Sequence, residues 1–337
     1  MQKHKIIDIV FLGAGSALEL YAPYLSQKKY NLYVCDLINN RADNAAQIYG
    51  FNSIPADIKR FPIGATVINL TPPSDHGLTN IEMLDQGYSV FSEKPAAHEK
   101  KHLEKITQLM SEGARFAVAP DTHLSQANKI AQSLYKSGKF GRAISIRGIY
   151  HTKGHELWHP RPEMFYKKGG GVCLDILPYF LRSIESMFGR ISSYEVERVL
   201  GSKIDLISLK NTNSSIPLQV TITFITEKRQ KVDLDLSFCS RSFQSNLIIS
   251  FINHDIVFDP VDAGSDLRVI DHFENKVNII VQRTKDIRGI GVEAFVSKDE
   301  TDKYFGLENI KNFYREQTLL LNIDHGPNKK FGCLLCK

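Results

Sequence analysis

Lys5-Ile-Ile-Asp-Ile-Val-Phe-Leu-Gly-Ala-Gly-Ser-Ala-Leu18 joins an apolar, β-branched run to a glycine turn and then to a helical pattern reaching residue 25. A run that is apolar at nearly every position suits a strand buried on both faces, as in a parallel sheet. Gly13 allows a tight turn out of that strand. Gly15 has no Cβ, so a pyrophosphate could approach the backbone and the helix N-terminus there. Ser16 and Ala17 complete the turn, and Leu18 stands at the third glycine position of the dinucleotide fingerprint, which leaves the match incomplete. An ordinary strand–helix turn has the same outline, so the neighbouring units must decide.

The next unit strengthens the dinucleotide case. Residues 30–36, Tyr-Asn-Leu-Tyr-Val-Cys-Asp, form a second apolar run ending in an acid. Asp36 falls at about the ~20-residue offset expected of a carboxylate that bonds a ribose 2′-hydroxyl. Such a carboxylate would repel a 2′-phosphate, which favours NAD over NADP, although Arg41 close behind could pair with a phosphate. Residues 41–49 follow as a helix. The strand at 65–70 stops at Thr71-Pro72-Pro-Ser-Asp-His76, where Ser74 is placed to cap a helix running to about residue 86. His76, in its first turn, is either a solvated histidine or a group touching the cofactor. A strand at 89–91 then delivers Glu93-Lys94-Pro95. Pro95 cannot donate to a ladder, so the strand ends there, and the Lys94–Pro95 bond is open to a cis form. Alone, Glu93 and Lys94 would read as a solvated surface pair. A helix at 99–111 and a strand at 116–119 complete a β/α alternation, which predicts an α/β fold with a doubly wound parallel sheet. Open sheets of this kind place ligands at the carboxyl ends of their strands.

After Gly138 the pattern changes. Residues 142–150 alternate polar and apolar, as a strand with one wet face does, and similar strands are predicted near 194–200, 204–209, 217–225, 232–238, 246–251 and 277–282. The expected organisation is a Rossmann domain over 1–121 and, over 122–337, an α+β domain with an open, mainly antiparallel sheet. A terminal helix is expected near 306–321. Between the first strand of that second sheet and the rest lies Gly154-His-Glu-Leu-Trp-His-Pro-Arg-Pro-Glu-Met-Phe-Tyr-Lys-Lys-Gly-Gly-Gly-Val-Cys-Leu-Asp-Ile-Leu-Pro-Tyr179. A loop dense in aromatic and polar side chains on a rigid scaffold suits binding. The triple glycine at 169–171 would let backbone approach a ligand. Asp175 and Tyr179, spaced i,i+4, are expected on one helix face, and an acid in so apolar a helix is costly unless paired.

Composition narrows the classes of function. The chain has 337 residues, a net charge of +5 and scattered basic residues, which argues against nucleic acid and allows an anionic substrate. No apolar run approaches the ~20 residues of a membrane span, and the start runs straight into a strand pattern, so a cytoplasmic protein is expected. Five cysteines argue against a disulfide framework. Cys333 and Cys336 form a C-x-x-C with only His325 nearby as a further ligand, so no metal site is expected and a frayed tail is.

Taken together, these stretches resemble the glucose–fructose oxidoreductase / inositol dehydrogenase family (Gfo/Idh/MocA). The motifs that carry the resemblance are Gly13-Ala-Gly-Ser, Asn69-Leu-Thr-Pro-Pro-x-x-His76, Glu93-Lys94-Pro95 and Gly169-Gly-Gly…Asp175-x-x-Pro-Tyr179. One branch is closer, through His155-Glu-x-Trp-His-Pro-x-Pro-Glu163 and Pro120-Asp-Thr, and the likeness also touches Arg288-Gly-Ile-Gly-Val292. The resemblance implies hydride transfer between NAD (NADP possible) and a sugar, cyclitol or sugar-derivative alcohol or ketone. It also implies a homodimer or homotetramer formed through the C-terminal sheet. The family's catalytic lysine falls on Lys94 and its acid on Asp175. Its usual histidine four residues later is Tyr179 here, and Leu177 replaces a glycine common in the branch. A tyrosine of pKa ~10 is a poor base unless a cation lowers that value, which Lys94 could do. Cofactor contacts are expected from Gly13, Gly15, Ser16, Ala17, Asp36, Arg41, Thr71, Pro72, His76, Glu93 and Lys94. Substrate contacts are expected from Asp121, His123, Trp158, His159 and Arg161. The competing expectation is a non-catalytic sensor or assembly protein on the same fold.

Overall fold

The computed structural model of the chain describes residues 6–25, 30–199, 202–204, 211–213, 216–261, 266–282, 289–296, 307–325 and 329–333. By internal contact it divides into two units, residues 1–119 with 288–319 and residues 120–287 with 320–337. The first crossing lies two residues before the 121/122 boundary expected from sequence. Residues 288–319 add to the first unit a segment which that boundary assigned to the second.

The first unit is built on β1 (Ile7–Leu12), β2 (Tyr30–Cys35), β3 (Asn52–Ser53), β4 (Thr66–Asn69), β5 (Ser89–Ser92) and β6 (Phe116–Val118). All are parallel, in the order β3-β2-β1-β4-β5-β6. Ile9, Val10, Phe11, Val34, Val67, Ile68 and Val90 are fully buried, as expected of strands covered on both faces. Four helices alternate with the strands: α1 (Leu18–Leu25), α2 (Asn39–Tyr49), α3 (His76–Asp85) and α4 (Lys100–Ser111). α1 lays Leu18, Tyr21, Ala22 and Leu25 on the sheet. Val292, Phe295 and Val296 join the same core. Each fully buried side chain of this size contributes ~1.5–3 kcal/mol.

Register decides what the first unit can do. Leu12 pairs with both Cys35 and Asn69, and Asn69 pairs with Ser92. Four strands therefore end level, and Gly13, Asp36, Leu70 and Glu93 leave the sheet along one edge. The strand order reverses at β1/β4, which is the topological switch point where open sheets bind ligands.

The second unit opens with α5 (Gln126–Lys136) and β7 (Ser145–His151), then α6 (Val172–Asp175) and α7 (Leu177–Phe188). Its remaining strands are β8 (Ile191–Val199), β9 (Ser202–Ile204), β10 (Asn211–Asn213), β11 (Gln219–Thr226), β12 (Lys231–Ser237), β13 (Gln244–Ser250), β14 (His254–Asp259), β15 (Asp266–Asp271), β16 (Lys276–Val281) and β17 (Lys329–Cys333). Nine of its strands form one sheet, β16-β15-β14-β13-β7-β12-β11-β8-β17, in which β7 and β12 are parallel and the other neighbours antiparallel. β9 and β10 pair separately. α7 packs on this sheet where Gly148 makes room, because a Cβ there would lie 2.4 Å from the Phe180 ring. Among the described residues, the helices α8 (Ile290–Val296) and α9 (Leu307–His325) follow in the chain.

Four expectations are corrected. β14 and β15 were not foreseen, because each shows only a short apolar core between aspartates. Residues 329–333 form an edge strand paired with β8, where a frayed tail was expected. The α3 N-cap is Asp75, with no side-chain cap bond, and Ser74 donates to the Asp75 carboxylate instead. Asp175 and Tyr179 do not share an unbroken helix: α6 ends at Asp175, and α7 restarts after Ile176 with Pro178 in its first turn. Residues 205–209 of one expected strand lie outside the described residues. Among the described residues no helix is long and apolar enough to cross a membrane.

Candidate active site

In the first unit the glycine turn is held by the chain's own groups. Gly13 has φ +109°, and an added Cβ would stand 2.8 Å from the Leu70 carbonyl oxygen across the switch point. An added Cβ at Gly15 would meet nothing within 4 Å, so the turn leaves open space where a pyrophosphate would need it. The Asp36 carboxylate accepts from the Ala14 N–H at 2.9 Å and from the Ile38 N–H at 2.9 Å, tying the end of β2 to the glycine turn. Ser16 and Arg41 are exposed beside it, and Ala17 is half-buried.

The ends of β4 and β5 are joined by a buried polar network. Asn69 donates to Asn80, and Asn80 donates to the Ser92 hydroxyl and the Ala96 carbonyl. Thr71 donates through both its N–H and its hydroxyl to Asn69 Oδ1. His76 is fully buried, with Nδ1 2.8 Å from the Pro95 carbonyl and Nε2 2.7 Å from the Thr71 carbonyl. Burial lowers its pKa against the opposing pull of those carbonyls and of Glu93. Carbonyls only accept, so a neutral ring bonds one of the two. Both nitrogens are turned to backbone, which makes His76 a clasp between the two turns. Pro72 is half-buried between them.

Glu93 is buried. It accepts from the Tyr21 hydroxyl at 2.6 Å and, through its other oxygen, from the Lys94 N–H at 3.1 Å. The backbone of Lys94 is thereby set by a carboxylate that α1 holds. The Lys94–Pro95 peptide is cis, and Lys94 is half-buried. Tyr21 and Asn80 were missed from sequence, since a buried tyrosine on a helix face and an asparagine within a helix carry no motif; Asn69 opens a motif that was quoted, but its role was not singled out.

In the second unit, Pro120 and Asp121 lead into a short 3-10 turn, Thr122–Leu124, against α7, where the Thr122 hydroxyl reaches the Tyr179 carbonyl. Asp121 and Tyr179 are buried. The His123 pKa is pushed down to about 3 by burial, with Arg182 and Lys129 adding to the effect, so the ring is neutral near pH 7. It can bond hydroxyls but does not offer a cation to a phosphate.

A stability prediction follows with a definite sign. The folded pKa of His123 lies below the unfolded value, so its contribution is complete above pH ~6.5 and is lost as pH falls toward the folded pKa. Wild type should lose ~2–3 kcal/mol from this group between pH 6.5 and 4.5. His123→Gln should flatten that part of the urea-stability profile, and an unchanged slope would contradict the assignment.

The 154–171 loop folds around His155. Its ring stacks on Phe165 at 3.7 Å and 4° and meets the ring of Phe238 edge-on at 4.6 Å. His155 Nε2 lies 3.5 Å from Asp175 Oδ2. The Tyr166 hydroxyl accepts the His155 N–H at 3.1 Å and donates to Glu156 at 2.9 Å. Burial first, and the Glu156 charge, raise the Tyr166 pKa, so the phenol stays a donor. Trp158 is 65% exposed and tilted toward the same histidine, His159 stands edge-on to Phe165, and exposed Arg161 donates its N–H to His159 Nδ1. His155, Phe165 and Tyr166 were not singled out from sequence, although His155 opens the motif that was quoted.

No protein-family model matches the chain, and no curated protein matches it significantly. Solved structures do match. A 3-ketoreductase from Actinomadura kijaniata, in complex with TDP-benzene and NADP, aligns with TM-score 0.74 at 14% identity, covering 95% of this chain and 96% of that one. Levoglucosan dehydrogenase, in complex with NADH and L-sorbose, aligns with TM-score 0.71 at 15% identity, covering 97% and 98%. The WlbA dehydrogenase from Bordetella pertussis, in complex with NADH and UDP-GlcNAcA, aligns with TM-score 0.68 at 13% identity, covering 88% and 89%. Likeness at this level of identity establishes the fold. The chain has the fold of these dehydrogenases and reductases.

Proposed function

We propose that the protein is a nicotinamide-dependent oxidoreductase of the Gfo/Idh/MocA type that transfers a hydride to or from a sugar, cyclitol or sugar derivative. The observation that carries this is the level edge of the first sheet. There the Gly13–Ala17 turn, Asp36, the Thr71–Pro72 turn and the Glu93–Lys94 turn leave four adjacent strand ends at the switch point. Two features of that edge support a dinucleotide there: open space at Gly15 and a carboxylate at the end of β2 beside the glycine turn. When bound, the nicotinamide supplies or accepts the hydride. The cofactor is NAD in preference to NADP, because Asp36 disfavours a 2′-phosphate.

Each remaining role falls to a residue of this chain. Lys94 stabilises charge at the reacting oxygen and holds or delivers a proton there. Tyr179 carries the hydroxyl through which that proton passes, and Asp175 orients the substrate hydroxyls. Asp121, His123, Trp158, His159 and Arg161 line the substrate side. Val277, Ile279 and Ile280 on the edge strand β16 are exposed, which supports self-association through the second sheet.

The test is a panel. Purified protein with NAD⁺ or NADP⁺ is mixed with hexoses, levoglucosan and myo-inositol, and with NADH or NADPH and nucleotide-linked keto-sugars, while absorbance of the reduced nicotinamide is followed. Turnover of a panel member is expected. Cofactor binding with no turnover across the panel would favour the non-catalytic alternative.

A further inference from the structure

We infer that His155 is a positioning residue for Asp175: its Nε2–H is the donor that fixes the Asp175 carboxylate, and the surrounding rings exist to aim it. This rests on the proposed reaction, in which Asp175 handles the substrate.

Three observations meet at this histidine. First, its geometry is over-determined. One ring face lies flat on Phe165 at 3.7 Å, Phe238 stands edge-on at 4.6 Å, and the backbone N–H is held by the Tyr166 hydroxyl. The Tyr166 proton in turn goes to Glu156, so the hydroxyl is left to accept. Second, the ring presents Nε2 to Asp175 Oδ2 at 3.5 Å, with the histidine side chain 5% and the aspartate side chain 13% exposed. A carboxylate only accepts, so the nitrogen facing it carries the proton. The separation is longer than a formed hydrogen bond, as bonds around a reacting group commonly are before substrate binds. Third, Nδ1 is buried and has no hydrogen-bond partner among the described residues. An orphaned buried acceptor costs ~1–3 kcal/mol. A ring kept only for packing would be better served by phenylalanine, which would stack on Phe165 with no orphan. What imidazole adds over phenylalanine here is the donor toward Asp175.

The placement also bears on the break between α6 and α7. Asp175 is the last residue of α6, and its backbone N–H bonds the Gly171 carbonyl. The helix is interrupted directly after it, and His155 approaches its carboxylate from a different segment, twenty residues earlier in the chain.

Two variants separate aiming from packing. His155→Gln keeps a side-chain N–H donor and loses the ring; His155→Phe keeps the ring and loses the donor. A hydrogen bond to a charged group is worth about 10- to 100-fold. On the panel member that wild type turns over fastest, His155→Phe should lose that factor in kcat with NADH affinity unchanged. His155→Gln should recover to within a few-fold of wild type. A packing role predicts the opposite order, with Phe near wild type and Gln impaired, and that order would overturn the inference.

A second measurement needs no substrate. In ¹⁵N-histidine-labelled protein, with His155→Gln for assignment, the ring should be the Nε2–H tautomer, and its proton resonance should move in Asp175→Asn. An Nδ1–H tautomer, or a resonance blind to Asp175→Asn, sinks the pairing. Wild type inert on the whole panel would instead defeat the proposed reaction, and with it the role, while the tautomer still decides the pairing.

Discussion

Lys94→Met should bind NADH as wild type does and turn over ~10²- to 10⁴-fold more slowly, the usual worth of a positioned acid–base group. Methionine keeps most of the length of the lysine stem and removes the charge. The backbone at this point has an anchor of its own. It is held by the bond from the Lys94 N–H to Glu93, and Glu93 by Tyr21. The variant should therefore fold, and its defect should sit in kcat, because charge at the reacting oxygen develops in the transition state. Stopped-flow turnover beside NADH fluorescence titration gives both numbers. Full activity in this variant would remove Lys94 from the chemistry.

The second large effect is expected at the glycine turn, where the two glycines on either side of Ala14 should fail in different ways. Gly13→Ala places a Cβ 2.8 Å from the Leu70 carbonyl oxygen at a φ of +109°. The neighbour is backbone in the middle of the sheet edge and cannot swing aside. Strain and overpacking together should destabilise the first unit by ~3–5 kcal/mol. Gly15→Ala meets nothing within 4 Å, so its unfolding free energy from urea titration should stay within ~1 kcal/mol of wild type. Its defect should be in the cofactor, with NADH affinity at least ~10-fold weaker because the new methyl occupies space needed by the pyrophosphate. If Gly15→Ala were unstable and Gly13→Ala were not, the assignment of the two glycines would be reversed.

The parallel sheet was legible because its strands are apolar at nearly every position and each stops at a polar turn. Those features depend on local residues alone. The level strand ends were not legible, since register is fixed by pairings between segments far apart in the chain. β14 and β15 escaped notice for a related reason: Ile256 to Phe258 and Leu267 to Ile270 become strands through the neighbours they pair with. At the site, Lys94, Asp36 and Asp175 announced themselves as charges ending or interrupting apolar runs. The groups that hold them did not. Tyr21 reaches Glu93 across 72 positions and His155 reaches Asp175 across twenty, and neither spacing follows a helix or strand period. The i,i+4 expectation for Asp175 and Tyr179 failed because periodicity assumed a continuous helix, whereas a new one begins at Leu177 with Pro178 in its first turn.

The central claim is that the edge bearing Gly13, Asp36 and Lys94 holds a nicotinamide dinucleotide. Titrating the intact chain with NADH and with NADPH, while following nicotinamide fluorescence, tests it without knowledge of the substrate. The expected result is saturable enhancement at one site per chain, tighter for NADH than for NADPH and retained in Lys94→Met. Fluorescence that never saturates with either nucleotide, or that is unaffected by Gly15→Ala, would contradict it.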